Sequence, residues 1–410
     1  AGNNFGQNVN IYGNTIGLKP DNETTAPNGT GISTGAMSTP LGSIQIGGAS
    51  AGQGNIISGN TANGITLANF QSSAFPMSIK GNRIGQSISG VAKPNGTGIG
   101  FYNTTRGVLV GGVGPGEGNI IANNTGVGVS IASSPTISNI TVRGNSIYLN
   151  GSLGIDLSGN NGSPDVWDIT DADTGSNGLQ NFARRTTFTK CNGTTTETRT
   201  VIRSTANTTF DVDFYANPSG RDVSGYGEGE QYISSTTVTT DSNGYVALTP
   251  PAATNLSMTA TDPSGNTSEF SNERTASVGS CTVTNKTTND TTPSLAGTLS
   301  ATNTTPTLKV TVDGQTVNAT VSGTSWTLAD NTLSALADGT YDVTTTYTDP
   351  ETTMTTSYTK VGALTVDSTV PTASITRKSG QASYTQTNSA WFTLTLSEAA
   401  ATGTLTAADI

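Results

Sequence analysis

Five oxygen-bearing side chains crowd one short stretch of the chain: Asp165, Asp168, Asp171, Asp173 and Asn177, the last three in the pattern D-x-D-x-G-x-N. Calcium takes about six to eight oxygen ligands, and short-spaced carboxylates around a glycine turn supply them. Carboxylates held so close repel one another unless a cation sits between them. The stretch therefore reads as a structural calcium (Ca2+) site, without the bidentate Glu that completes an EF-hand. The competing reading is an acidic, solvated loop built on Asx turns. Cys191 and Cys281 have no further ligands nearby for a metal, so they are either one disulfide or two separate thiols. As a disulfide they would stabilise the region between them by about 4 kcal/mol. Glu228 and Glu230 form a carboxylate pair on a glycine-rich stretch, where neighbours of this kind are ordinarily just exposed.

The 410-residue chain contains no histidine. That removes the Ser-His-Asp triad, the imidazole base and every His-built zinc or iron site. Catalysis would have to rest on carboxylates, Arg, Lys or Tyr. Charged residues make up 11% of the chain and the net charge is −10, so nucleic acid is not an expected partner, since phosphate binding needs clustered Lys and Arg. No apolar run is long enough to span a bilayer. The chain begins at Ala1, within a repeat, and is read as a processed or partial chain whose export signal has been removed. The N-x-S/T sequons, such as those at Asn22, Asn103, Asn207 and Asn318, are about as many as so much Ser and Thr gives by chance.

The elements that would position these residues show themselves as repeats. Residues 9–17 (VNIYGNTIG) return as 77–85 (MSIKGNRIG) and as 140–148 (ITVRGNSIY); residues 54–60 (GNIISGN) return as 118–124 (GNIIANN). Glycines opening a G-I or G-V segment fall at Gly31, Gly64, Gly98, Gly126 and Gly154, so one turn takes about 28–34 residues. Gly, Asn, Ser and Thr break every apolar run, which excludes helices. Each turn then holds three short strands in a triangular coil. Its inward residues are Ile65, Ile99, Val127 and Ile155 on one face and Ile44, Ile46, Val108 and Val110 on another. Asn14, Asn82 and Asn145 align as an asparagine ladder, and Lys80 and Arg143 align as an outer row able to grip an anionic sugar or simply to meet solvent.

The motifs at 13–16, 54–60, 81–84, 118–124 and 144–147 resemble the right-handed parallel β-helix repeats of bacterial surface proteins. The stretch 171–182 resembles the segment that follows such β-helices, which implies a junction role. Carbohydrate-active members of that fold gather acids on adjacent coils. Here Asp21, Glu23, Glu117 and Asp156 are scattered, and Phe101 and Tyr102 are the only aromatic neighbours on the coils with a sugar-stacking look.

The fold is expected to be all-β. Residues 1–160 form the coil and 161–184 an acidic junction that caps it. Residues 185–278 form a β-sandwich, 279–368 a second, immunoglobulin-like one, and 369–410 the start of another such module. Residues 326–328, 336–341 and 346–350 resemble bacterial immunoglobulin-like repeats, which implies that Trp326 and Tyr341 are core aromatics. The expected function is a non-catalytic extracellular structural protein of a surface fibre, filament or sheath, self-associating by completion of its partial modules. The alternative is a carbohydrate-binding or lyase-like adhesin with a surface polysaccharide or host ligand as partner.

Overall fold

The computed structural model describes the chain apart from residues 1–7, 35–42, 71–76, 160–163, 192, 221–226, 302–306, 381–389 and 398–410. The sequons at Asn161, Asn192 and Asn303, and Tyr226, lie outside the described residues. Two compact units divide the chain: Ala1–Thr189, Thr194–Ser277 and Asp349–Met354 in the first, and Lys190–Gly193, Val278–Thr348 and Thr355–Ile410 in the second.

The first unit opens with five coils of three short strands each: β1 (Val9–Ile11), β2 (Thr15–Ile16), β3 (Ile32–Ser33); β4 (Ile44–Ile46), β5 (Ile56–Ile57), β6 (Asn63–Ala68); β7 (Met77–Ile79), β8 (Arg83–Ile84), β9 (Thr97–Tyr102); β10 (Arg106–Gly111), β11 (Ile120–Ala122), β12 (Val129–Ile131); and β13 (Ser138–Arg143), β14 (Ser146–Tyr148), β15 (Ile155–Asp156). Every third strand pairs, which gives three five-stranded sheets: β1-β4-β7-β10-β13, β2-β5-β8-β11-β14 and β3-β6-β9-β12-β15. All of these pairings are parallel. This is a parallel β-helix.

Strands of two to six residues suffice because each contributes only one or two inward side chains. Its stability comes from the stack above and below. Ile65, Ile99, Val129 and Ile155 stand in register on one face and all are fully buried or nearly so. The expected member from the fourth coil, Val127, is buried too, but the register passes through Val129. The matching glycine is Gly128, whose position a Cβ would close to 2.7 Å from the Gly154 carbonyl, rather than Gly126.

The rest of the first unit is a β-sandwich, antiparallel but for one parallel pair of strands. β16 (Arg184–Thr189), β17 (Thr196–Arg203), β18 (Thr209–Ala216), β19 (Gln231–Thr239), β20 (Tyr245–Leu248), β21 (Ser257–Thr261) and β22 (Glu273–Cys281) follow, the last of them counted with the second unit from Val278 on. β18 lies between β19 and β21 in one sheet, and β20, β17, β16 and β22 are neighbours in the other. Ile202, Phe210, Val212, Phe214, Leu256 and Met258 fill the space between them.

The second unit holds β23 (Lys286–Thr288), β24 (Leu295–Ala301), β25 (Thr307–Val312), β26 (Gln315–Ser322), β27 (Ser325–Leu328), β28 (Gly339–Thr348), β29 (Thr355–Val366), β30 (Ala373–Arg377) and β31 (Phe392–Leu396). Cross-strand Thr pairs such as Thr344–Thr359, 2.8 Å apart at their hydroxyls, line its outer face, as β-branched residues on a solvated sheet do. Trp326 is buried at 1% exposure and donates from Nε1 to the Thr282 carbonyl. Tyr341 is only half-buried, its hydroxyl donating to the Ala337 carbonyl; Tyr347 takes the core position instead. Among the described residues the last module is a two-stranded hairpin, β30 with β31. The Cys191–Cys281 disulfide is formed, with both residues in the second unit.

Candidate functional site

The coil's buried polar chemistry is two asparagine ladders. In the first, Asn14, Asn55, Asn82, Asn119 and Asn145 each donate from Nδ2 to the Oδ1 of the next, at 3.1, 2.8, 2.9 and 2.8 Å. The same oxygens accept the preceding asparagine's backbone N–H at 2.9–3.1 Å. The second runs Asn28, Asn60, Asn95, Asn124, Asn150, at 3.1, 2.9, 3.0 and 2.9 Å. Each ladder sits at a corner between two sheets, where the chain turns and its peptide groups lose their strand partners. Buried peptide groups need partners. The ladder amides supply them: Asn82 Nδ2 also reaches the Ile46 carbonyl at 2.8 Å and Asn119 Nδ2 the Ile79 carbonyl at 2.7 Å. The expected alignment of Asn14, Asn82 and Asn145 is therefore three of the five rungs of one ladder, with Asn55 and Asn119 between them.

Both ladders donate in one direction, toward the fifth coil, so that end presents unsatisfied N–H groups on all three sheet edges. Residues of the sandwich meet them. On the β13 edge, Asn266 Oδ1 accepts from Asn139 N at 2.7 Å, Asn177 Oδ1 from Ile140 N at 2.9 Å, Thr267 Oγ1 from Val142 N at 3.0 Å and the Tyr215 hydroxyl from Gly144 N at 3.1 Å. On the β14 edge, Gly229 exchanges backbone hydrogen bonds with Ile147 at 2.8 and 2.9 Å. On the β15 edge, Glu269 Oε1 accepts from Leu157 N at 3.0 Å. Glu228 ends the second ladder: its carboxylate accepts from Leu149 N at 2.7 Å, Asn150 N at 3.1 Å and Asn150 Nδ2 at 3.2 Å. Tyr215 and Phe270, edge to face at 5.3 Å between ring centroids, close the apolar core over Gly154. Arg143 grips Asp213 with two hydrogen bonds at 3.0 and 2.7 Å and also pairs with Asp211.

Glu228 is thus buried at 5% exposure, against the expectation of an exposed pair. Glu230 points elsewhere, its carboxylate accepting from Ser219 N and Oγ at 2.8 and 3.0 Å.

The acidic stretch does not form one calcium shell. Asn177 is fully buried and its amide is committed to Ile140 N, Ile140 O and Thr267 O. Asp168 turns back on its own loop, accepting from Thr170 N, Asp171 N and Ala172 N. Asp171 accepts from Asn181 N, Gln180 Nε2 and Ser204 Oγ, and burial outweighs these donors, pushing its carboxyl up to about 6. Asp173 and Asp165 are raised as well, by burial first and by neighbouring carboxylates after it. Asp165 donates its backbone N–H to Glu269 Oε2 at 2.8 Å. Among the described residues no three acidic side chains are grouped so as to hold a metal ion. The donors that reach Asp168 and Asp171 are backbone and amide N–H groups and the Ser204 hydroxyl.

No protein-family model and no curated protein matches this chain. Among solved structures it is similar to dimeric latent PorU from Porphyromonas gingivalis, at 10% identity and a TM-score of 0.15, over 48% of this chain and 24% of that one. A likeness that slight carries no argument.

The remaining polar candidates resolve into local pairs. Lys80 and Arg143 are not adjacent, because Gly111 of β10 is the register partner of Arg143. Lys80 instead binds Glu117 at 2.7 Å. Phe101 is fully buried in the coil core and Tyr102 is half-buried, its hydroxyl accepting from Asn63 Nδ2 at 3.1 Å. Neither offers an open ring for a sugar. Asp21 accepts from Glu23 N, Thr24 N and the Thr24 hydroxyl, which hold its carboxyl down at about 2. A groove of about 510 Å³ in the first unit, lined by Arg185, Thr198, Arg199 and Leu248, is open to solvent. Among the described residues no helix is long and apolar enough to cross a membrane, which says nothing of a β-barrel.

Proposed function

We propose that this chain is an extracellular structural protein of a cell-surface fibre, filament or sheath. In it the β-helix serves as a stiff element and the sandwiches as modules. The observation carrying this reading is the use made of the coil's buried polar groups. Eight asparagines at 5% exposure or less bond to one another and to the backbone, so the interior chemistry holds the coil together instead of facing a cleft. The Cys191–Cys281 disulfide supports an oxidising, extracellular setting. For self-association, the end bearing β13, β14 and β15 is closed by the sandwich. Among the described residues, apolar side chains cluster in the open on the β30–β31 hairpin and just before β31, where Ile375, Trp391 and Phe392 are 60–64% exposed.

Sedimentation of the intact chain at physiological salt, with negative-stain imaging, tests the assembly: polymers are the expected result, and monomers at every concentration would reject it. The polysaccharide-acting alternative is tested separately by screening for sugar release and for an unsaturated-uronate chromophore, with neither expected.

A further inference from the structure

β19 is nine residues long and ends its sheet. Among the described residues it pairs with β18 alone. The direction of its backbone groups follows from the far side of that sheet. Met258 and Ala260 of β21 turn their N–H groups away from β18, to the hydroxyls of Ser271 and Ser268. Bonded and non-bonded pairs alternate in an antiparallel ladder, so Val212 and Phe214, opposite Ala260 and Met258, bond instead to β19, at Thr236 and Ser234. Ser235, Thr237 and Thr239 then point their N–H and C=O groups outward, and all three residues are exposed. Proteins ordinarily blunt such an edge with Lys, Pro or a bulge. Residues 231–239 (QYISSTTVT) hold no charge and no proline. The bulge lies near the start, where the register slips between Phe214 and Tyr215, and residues 234–239 run on regularly. The nearest carboxylates, those of Asp211 and Asp213 on β18, are paired with Arg143.

We propose that β19 is a docking edge for β19 of a second copy of this chain, the two strands running antiparallel about a two-fold axis at Thr237. The inference deepens the self-associating reading above and rests on it. Ser235 meets the partner subunit's Thr239 and Thr237 meets the partner subunit's Thr237, each pair exchanging the backbone bonds left open at the edge. Thr236 then faces the partner subunit's Val238. A second copy fits this edge for two reasons. The strand is neutral in a molecule of net charge −10, so no like charges meet across the axis. Hydroxyl residues placed opposite one another are also the cross-strand pairing this chain already uses, at 2.9 Å for both Thr209–Thr239 and Thr346–Ser357. An isologous contact closes on itself, so it makes dimers that a different surface must extend. Specific, stable interfaces bury about 1,200–2,000 Å². A single strand pair buries less, so the association is weak and grows with concentration.

Sedimentation velocity of the intact chain over a concentration series tests the edge, and a dimer that grows with concentration is expected for the natural protein. Thr237→Pro removes an outward N–H that β18 does not use, and Thr237→Lys sets two ammonium groups against each other across the axis. Both are expected to leave monomers at the concentration where the natural protein dimerises, with its circular dichroism kept. Should T237P fail to fold, T237K decides. Thr237→Cys is expected to cross-link two copies in the absence of reductant, since residues opposite one another in an antiparallel pair lie within disulfide reach. Asn318→Cys, exposed on a different strand, is the control and is expected not to. Dimers undiminished in T237K, or cross-linking no greater in T237C than in N318C, would overturn the proposal. Polymers that survive T237K unchanged would overturn it and leave the fibre reading standing. Dimers that go no further in the natural protein and are lost in T237K would uphold it and reject the fibre; monomers at every concentration would reject both.

Discussion

A ladder asparagine does the work of a strand pair at a place where no strand runs. Asn82 accepts from Asn55 N and Nδ2 and donates to Asn119 Oδ1 and the Ile46 carbonyl, all at 3.1 Å or less. Asn82→Ala strips these and leaves two donors of Asn55 buried without an acceptor. It is expected to destabilise the first unit by about 2–4 kcal/mol, measured by urea denaturation. Glu228 is the charged end of the second ladder, so Glu228→Ala leaves the backbone N–H groups of Leu149 and Asn150 unmet, while the Asn150 amide keeps the Ile121 carbonyl. A loss of about 2–4 kcal/mol is expected, with Glu228→Gln milder because its carbonyl oxygen still accepts. The sequence showed part of this. The G-N pairs marked three rungs of the first ladder because they recur with the apolar motif around them. Asn55 and Asn119 were hidden in a second motif, and Glu228, inside Gly-Glu-Gly-Glu, had the look of a solvated loop. Its burial depends on what lies across from it, the end of a coil some 80 residues earlier in the chain, and no local pattern records that.

Strands in this coil are set by the corners between them. Gly85 has φ +94°, and a Cβ there would stand 2.0 Å from the Ala122 carbonyl oxygen of the next coil. Gly52 has a similar φ of +79° with open space around it. Gly85→Ala is expected to cost about 2–5 kcal/mol, from left-handed strain of about 1–2 and overpacking of about 1–3. Gly52→Ala bears the strain alone, about 1–2 kcal/mol, and the two substitutions are compared by their denaturation midpoints. The coil itself was legible because one inward Ile or Val per strand recurs once per turn. Its fourth turn was misread by two residues, since Gly126-Val127-Gly128-Val129 offers the same dipeptide twice and only pairing to Ile99 and Ile155 decides between them. β16 and β22 are not legible in the sequence for a related reason. Arg184–Thr189 and Glu273–Cys281 are polar, and they become strands by pairing with each other. The acidic stretch is ambiguous in sequence because clustered Asp side chains look alike whether they bind calcium or cap their own turns.

Two units share the chain, and the disulfide belongs to one of them. Cys191 and Cys281 are 90 residues apart in sequence, and the loop they close contains Thr194–Ser277 of the first unit, so on the loop-entropy model the bond stabilises the folding of that enclosed stretch by about 4 kcal/mol. Cys191→Ser is expected to lower the unfolding transition of the first unit, which contains the enclosed Thr194–Ser277, read by calorimetry. At this scale the account rests on the first unit being a stack of coils pinned by their buried asparagines and sealed by the sandwich. Hydrogen exchange of the asparagine side-chain amides, followed by NMR, tests that most directly. Asn55, Asn82, Asn119, Asn145, Asn60, Asn95, Asn124 and Asn150 should retain their Nδ2 protons orders of magnitude longer than exposed Asn318, and lose them together when the unit unfolds. Exchange at those eight as fast as at Asn318 in the folded protein would contradict the account.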